Sequence, residues 1–191
     1  VELTRLSQQL AFLAEADRLK SILRRTKLIG EERYENSAEH SWHFALMALT
    51  LTEHAAEGID TARVIRMALV HDLVEIDAGD SFVYDIAAMA GKAEREQLAA
   101  DRIFGLLPLD QATEFRALWD EFEEQETIEA KFAAAIDRLC GMMPNYKNQG
   151  GSWKEHKSTA TQVTARNAPI AHGAPAHGEA ASLWIQEAIE N

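Results

Sequence analysis

The chain has 191 residues, enough for one domain with a real core. Hydrophobic residues make up 47%, which excludes a disordered chain, and the formal net charge of −12 excludes a broad nucleic-acid surface, because phosphate backbones are bound by excess Lys and Arg. A small phosphorylated substrate held by one or two local cations stays compatible with that balance. Cys140 is the only cysteine, so no intramolecular disulfide forms and a reducing compartment is expected. No apolar run approaches the roughly 18 residues that span a bilayer. The opening VELTRLSQQL lacks the basic start and apolar centre of a signal peptide. The expectation is a soluble cytoplasmic protein with no membrane partner.

Apolar residues at Leu3, Leu6, Leu10, Leu13, Leu19, Ile22 and Leu23 predict a first helix running to about Arg25. Its basic end suits a helix C-terminus, so Arg24 and Arg25 read as capping and solvation. After Gly30, Asn36 with Glu39 three residues on resembles a capping box opening a second helix. Ala38, Trp42, Ala45, Leu46 and Leu49 supply its apolar stripe. His40 falls in its first turn and His43 one turn later, and position near the polar loop favours His40 only slightly as a site residue. His54 reads as a solvated or capping side chain.

The segment from Asp60 to Asp80, DTARVIRMALVHDLVEIDAGD, predicts the central helix, with Val64, Ile65, Ala68, Leu69, Leu73 and Ile76 on one apolar face. His71, Asp72 and Glu75 interrupt that face. A charge in such a place is costly unless it is paired or coordinated, and Glu75 stacks one turn beyond His71. A metal site explains the pattern, and a buried His–Asp hydrogen-bond pair is the alternative. Gly79 ends the helix. Asp80, in the acidic loop that follows, reads equally as a turn residue or a site residue.

Further helices are predicted over Lys92–Leu107, Ala112–Phe122 and Gln125–Met143, stopped by Pro108 and Pro144. Asp137 lies at the edge of the last one, where a salt bridge is the ordinary explanation. Ser152 can cap a helix running to Arg166. His172 and His177 are weak metal candidates, because Gly and Pro separate them and no carboxylate cluster accompanies them. A short helix from Ala180 to Ile189 closes the chain. With no strand-like alternation of useful length, the fold class is all-α, a helical bundle of about seven or eight helices in a single domain over 1–191.

His40, His71, Asp72 and Asp137 together make a mixed nitrogen–oxygen ligand set, suited to Mn, Fe, Co or Zn more than to Ca or Mg. With open positions left, one such divalent ion can lower the pKa of water and polarise a phosphoryl oxygen. At these residues the chain resembles the HD-domain superfamily of metal-dependent phosphohydrolases, whose pattern H…HD…D is matched by His40, His71-Asp72 and Asp137. The contexts RYENSAEHSWH, ALVHDLVEIDAGD and EAKFAAAIDRL look like the branch containing 5′-deoxynucleotidases, over about residues 19–166. Nothing in the resemblance covers 167–191, a C-terminal loop and helix.

The resemblance implies that His40, His71, Asp72 and Asp137 bind one divalent metal, and it selects His40 over His43. It implies that Glu75 orients or deprotonates the attacking water, that Asp80 lies near the substrate and assists the leaving group, and that Arg33 contacts the phosphate. An arginine at the end of the first helix often joins such a site, with Arg24 and Arg25 competing for the place. The expected function is hydrolysis of (deoxy)nucleoside 5′-monophosphates. The alternatives are a phosphodiesterase or pyrophosphohydrolase on another nucleotide, or a non-catalytic metal- or nucleotide-binding module. A small nucleotide partner and a homodimer are expected, with an exposed helix such as the one around Trp119 as interface.

Overall fold

The structure, a computed structural model, describes residues 4–79 and 91–190, without the side chains of 189 and 190. Helices dominate it, as the apolar periodicities require. Helix α1 (Arg5–Ala16) starts at Thr4, whose hydroxyl accepts the Ser7 N–H, and runs into a 3₁₀ turn over Asp17–Ser21. The first helix expected through Arg25 ends there. Ile22 is extended, and Leu23–Lys27 forms strand β1, antiparallel to β2 (Tyr34–Asn36), with pairs Leu23–Asn36 and Lys27–Tyr34 and a register shift between them. This small ribbon is the strand element the sequence did not suggest. Tertiary pairing overrides the weak helical preference of ILRRT.

The ribbon matters because strand residues alternate between two faces. Arg24 turns inward and Arg25 outward on β1, while Glu35 is the buried residue of β2. Asn36 then caps α2 (Ser37–Thr50): its side chain accepts the Glu39 N–H, and Glu39 accepts the Asn36 N–H, the expected capping box. The buried face of α2 carries Ser37, His40, Ser41, Phe44, Met47 and Ala48. Trp42, Leu46 and Leu49, read as core from their spacing, are exposed at 64%, 44% and 58%. The helix is apolar on two sides, so periodicity alone could not choose the inner one.

The central helix breaks. α3 (Thr61–Val70) is capped by the Asp60 side chain, and α4 covers only Glu75–Ala78. Between them the chain tightens to i→i−3 bonds, Leu73 N–H to Val70 O and Glu75 N–H to Asp72 O. Such winding aligns residues three apart, here Asp72 and Glu75. All six residues from His71 to Ile76 are buried, whereas Leu69, expected in the core, is 53% exposed. Gly79 ends α4 at φ 74°, in the left-handed region that favours glycine.

After the undescribed stretch come α5 (Lys92–Phe104), α6 (Leu109–Glu124) and α7 (Ile128–Lys147). Trp119 on α6 is 2% exposed and so belongs to the core, not to an open interface helix. Thr127 caps α7 by accepting the Ala130 N–H, and α7 continues through Pro144, where a stop was expected. Asn145 Nδ2 donates to Gly141 O at 2.9 Å in the same turn. The helix expected from Ser152 to Arg166 is two, α8 (Gly151–Glu155) and α9 (Ala160–Asn167), with Lys157 at φ 54° between them. α10 (Ile170–Gly173) and α11 (Pro175–Glu190) finish the chain, the latter starting earlier than its predicted Ala180.

α2, α3 and α7 pack around Phe44, Val64, Met67, Phe132 and Ile136, all at 0% exposure. Each such side chain contributes about 1.5–3 kcal/mol of transfer free energy. α5 and α6 cover one flank through α4 and α3, and α10 and α11 lie against α7. Three packed helices thereby bring the ends of distant segments to one point.

Candidate metal and active site

His40 comes from the first turn of α2, His71 and Asp72 from the tight turn after α3, and Asp137 from the middle of α7. One ligand atom from each of His40, His71 and Asp72 lies within 4.8 Å of the others. Asp137 Oδ1 is 2.8 Å from His40 Nε2 and 4.0 Å from His71 Nε2, while Asp72 Oδ1 is 3.0 Å from His71 Nε2. All four expected ligands therefore meet. His43 does not: it is half-buried and stacks on Trp42.

Each imidazole turns its Nε2 toward the carboxylates, the nitrogen a metal would take once its proton is lost. His71 Nδ1 lies 3.0 Å from the Ala68 carbonyl, which can only accept, so Nδ1 carries the proton and Nε2 faces the carboxylates. His71 Nε2 is buried with no hydrogen-bond partner. His40 turns its Nε2 to Asp137 and its Nδ1 toward Glu35 Oε1 at 3.7 Å. Phe44 and Phe122 wall the His71 ring at centroid distances of 5.2 and 5.1 Å, both edge-on. An orphaned nitrogen between two carboxylates, enclosed by aromatic rings, fits a divalent cation with two nitrogen and two oxygen donors.

Charge and burial contend at every group. Burial pulls the His71 imidazole down, but Asp72 and Asp137 outweigh it and hold it up at about 9. Burial works to raise Asp72 and Asp137. His71 and Arg24 around Asp72, and the two histidines around Asp137, hold both well below the usual carboxylate range. His40 is pushed down, by burial first and by Arg24 next, against the pull of Asp137. Glu35 is pushed up to about 7 by burial, which Arg24 only partly offsets. Cys140, buried nearby in α7, is also pushed up by burial and by Glu35, so it stays a thiol.

Glu75 is buried beside Asp72, and its Oε2 accepts the Ser37 hydroxyl at 2.6 Å. Asp80 lies outside the described residues. Arg33 is 57% exposed and holds Glu39 through two bonds of 2.9 and 2.7 Å; it does not line the cavity described next. Arg24, read from sequence as a helix-end cation, is instead part of the site. Its guanidinium donates to Asp72 Oδ2 at 2.8 Å, and its Nε lies 3.3 Å from Glu35 Oε1. The period-two alternation of β1 was the signal, hidden because the segment read as helix. Glu35 was missed because it lay in the loop ahead of the expected helix, and a three-residue strand is too short to show an alternation.

A cavity of about 260 Å³ opens on His71, Asp72, Glu75 and Asp137. Its remaining wall includes Lys92, Glu96, Glu123, Arg138 and Arg166. Lys92 pairs with Glu96 at 3.1 Å. Burial and the neighbouring Arg166 both push Arg138 down, with Asp137 opposing. Neither Arg138 nor Arg166 was singled out from sequence as a site residue. The arrangement can hold a metal at its base, a water at Glu75 and an anion against its basic wall.

The model of the HD domain family matches residues 16–177, and the chain belongs to that family. A solved structure described as a predicted metal-dependent phosphohydrolase from Magnetospirillum magnetotacticum MS-1 superposes with a TM-score of 0.91 at 48% identity, over 96% of this chain and 95% of that one. The 5′-deoxynucleotidase HDDC2 of Xenopus laevis is 36% identical over 138 residues, covering 65% of this chain and 67% of that protein. The Homo sapiens protein of the same name is 35% identical over 112 residues, 59% of this chain and 53% of that protein. The matched stretch is thus little more than half of the human relative. Family membership, the solved neighbour and the His–His–Asp cluster together imply a divalent metal.

Proposed function

We propose that the protein hydrolyses deoxynucleoside 5′-monophosphates to nucleoside and phosphate, with one divalent cation held by His40, His71, Asp72 and Asp137. The observation that carries this reading is the meeting of two imidazole nitrogens and two carboxylates beside a buried glutamate, in a cavity of about 260 Å³. Similarity to the 5′-deoxynucleotidases supports the choice of substrate. When bound, the cation supplies Lewis acidity to a phosphoryl oxygen and to water.

Glu75 holds the attacking water and takes its proton, with the Ser37 hydroxyl fixing one carboxylate oxygen. Glu35 steadies His40 from its far side, and Arg24 anchors Asp72, so the donor atoms are positioned before substrate arrives. Phe44 and Phe122 keep bulk water off His71. Asp80 is assigned proton delivery to the leaving 5′-oxygen, and Arg33 a phosphate contact that requires release of Glu39. Mn, Co, Fe or Zn is favoured over Mg by the two imidazoles.

A cytoplasmic location and a homodimer complete the proposal. Trp42, Leu46 and Leu49 on the open side of α2 support a surface for a second copy. Among the described residues no helix is long and apolar enough to cross a membrane. Sedimentation against the 21.3 kDa chain mass tests the dimer.

The direct test is phosphate release from metal-stripped protein given nucleotide monophosphates, diesters and pyrophosphates, each with Mn, Co, Zn or Mg. Metal-dependent release from deoxynucleoside monophosphates is expected. Silence on every monophosphate, with turnover of a diester or pyrophosphate, overturns the substrate assignment.

A further inference from the structure

The chain carries 31 acidic and 19 basic side chains, so an arginine left without a carboxylate runs against the charge balance. At the cavity, Arg24 is held by Glu35 and Asp72, and Lys92 by Glu96. Arg138 and Arg166 form no ion pair among the described residues. The one hydrogen bond of Arg138 runs from its guanidinium to the Ala134 carbonyl at 3.3 Å, and its Nε is buried without a partner. Arg166 sits in the last turn of α9 at the exposed rim and adds its charge to that of Arg138. A helix C-terminus explains a cation in that turn. It does not explain why two like charges line one cavity, one of them next in sequence to Asp137.

An anion held by both guanidiniums offsets their repulsion. Planar guanidinium forks match the oxygens of a phosphate, and two of them suit a dianion. Arg24 is already paired with two carboxylates, and Arg33 lies outside the cavity. Resting on the monophosphatase reading above, we infer that Arg138 and Arg166 are the phosphate clamp of this site, gripping the non-bridging oxygens of the substrate phosphoryl group from α7 and α9. Interactions of that kind bind ground state and transition state alike, so their loss raises KM more than it lowers kcat.

The test is inorganic phosphate binding by calorimetry to the full metal-loaded chain, alongside turnover of a deoxynucleoside monophosphate. Arg166→Gln and Arg138→Gln are expected to weaken phosphate binding at least tenfold each and to raise KM in step, with kcat changed less than threefold. Arg166→Lys should recover part of the affinity. Arg25→Gln, the same charge change on the outward face of β1, should stay within twofold of wild type. Phosphate affinity within twofold of wild type in both Gln variants, with metal content kept, overturns the clamp. A drop in melting temperature alone for Arg166→Gln would show a helix cap and nothing more. If Arg138→Gln does not fold, Arg166→Gln decides by itself. Arginine-dependent phosphate binding without turnover of any monophosphate would keep the clamp and remove the monophosphatase reading, whereas turnover with arginine-independent phosphate binding would do the reverse.

Discussion

Helix α7 has a buried histidine site on each of two neighbouring elements, and the two differ in what surrounds the ring. Near Asp137, His40 and His71 are enclosed with Asp72, Glu75, Glu35 and Arg24, and each ring has a carboxylate oxygen within 3.0 Å. Beside Phe132, His177 of α11 is 6% exposed, with both ring nitrogens buried and unpartnered, and its nearest polar ring is that of His54 at 5.3 Å. Burial and His54 push the His177 imidazole down, so it packs as a neutral ring. His71 is held up by carboxylates instead. Burial of a histidine therefore says little about function. Convergent carboxylates around it say much more, because only they compensate a cation.

The largest effect should come from Asp72→Ala. It strips the first region of a ligand and leaves His71 and Arg24 buried without their partner, so turnover should drop on the order of 10³-fold with loss of bound metal. Stability should also fall by about 3 kcal/mol in denaturant unfolding of the metal-free chain. Retained metal and turnover would erase the distinction between the two histidine sites. Next, Glu75→Gln keeps the Ser37 bond and the metal but should reduce kcat by about 10²–10⁴-fold, as loss of a general base does. Full turnover in that variant removes Glu75 from the chemistry.

Acid–base behaviour separates the regions by sign. In the metal-free protein the raised His71 contributes stability that is complete below its unfolded pKa near 6.5 and is lost as pH rises through about 9, up to about 3 kcal/mol. Melting temperatures between pH 7 and 9.5 should fall for the metal-free form, and less so with metal bound. The lowered His177 acts oppositely, costing stability as pH falls below about 6.5. His177→Phe should flatten that acid-side loss while leaving metal content and kcat unchanged; loss of metal from this variant would join the two regions after all. The smallest change is expected from Arg33→Ala, because an exposed pair with Glu39 contributes little. A rise in KM of about two- to threefold is expected, because meeting the phosphate costs Arg33 its bond to Glu39, and an unchanged KM would remove Arg33 from the substrate site.

The sequence by itself marked the buried polar residues at the base of the site. His71, Asp72 and Glu75 interrupt an apolar face, and a charge in a core position has few explanations, so their burial together was legible from spacing. Asn36 and Glu39 marked the start of α2 because a capping box is a local motif, complete within four residues. Asp137 had only an ordinary salt bridge to recommend it until the family pattern was applied, since nothing local shows that α7 passes His40. What the tertiary structure decided is which side of each element faces in. Trp42, Leu46 and Leu49 formed a better stripe than the face that α2 buries, and Leu69 looked like core. Arg24 became a site residue only through the pairing of β1 with β2, and Arg138 and Arg166 became neighbours only through the packing of α9 near α7. The physical reason is range: caps and periodicity are fixed by residues within a turn or two, whereas the compensation of a buried charge depends on partners 48, 97 or more residues away, which only folding brings together.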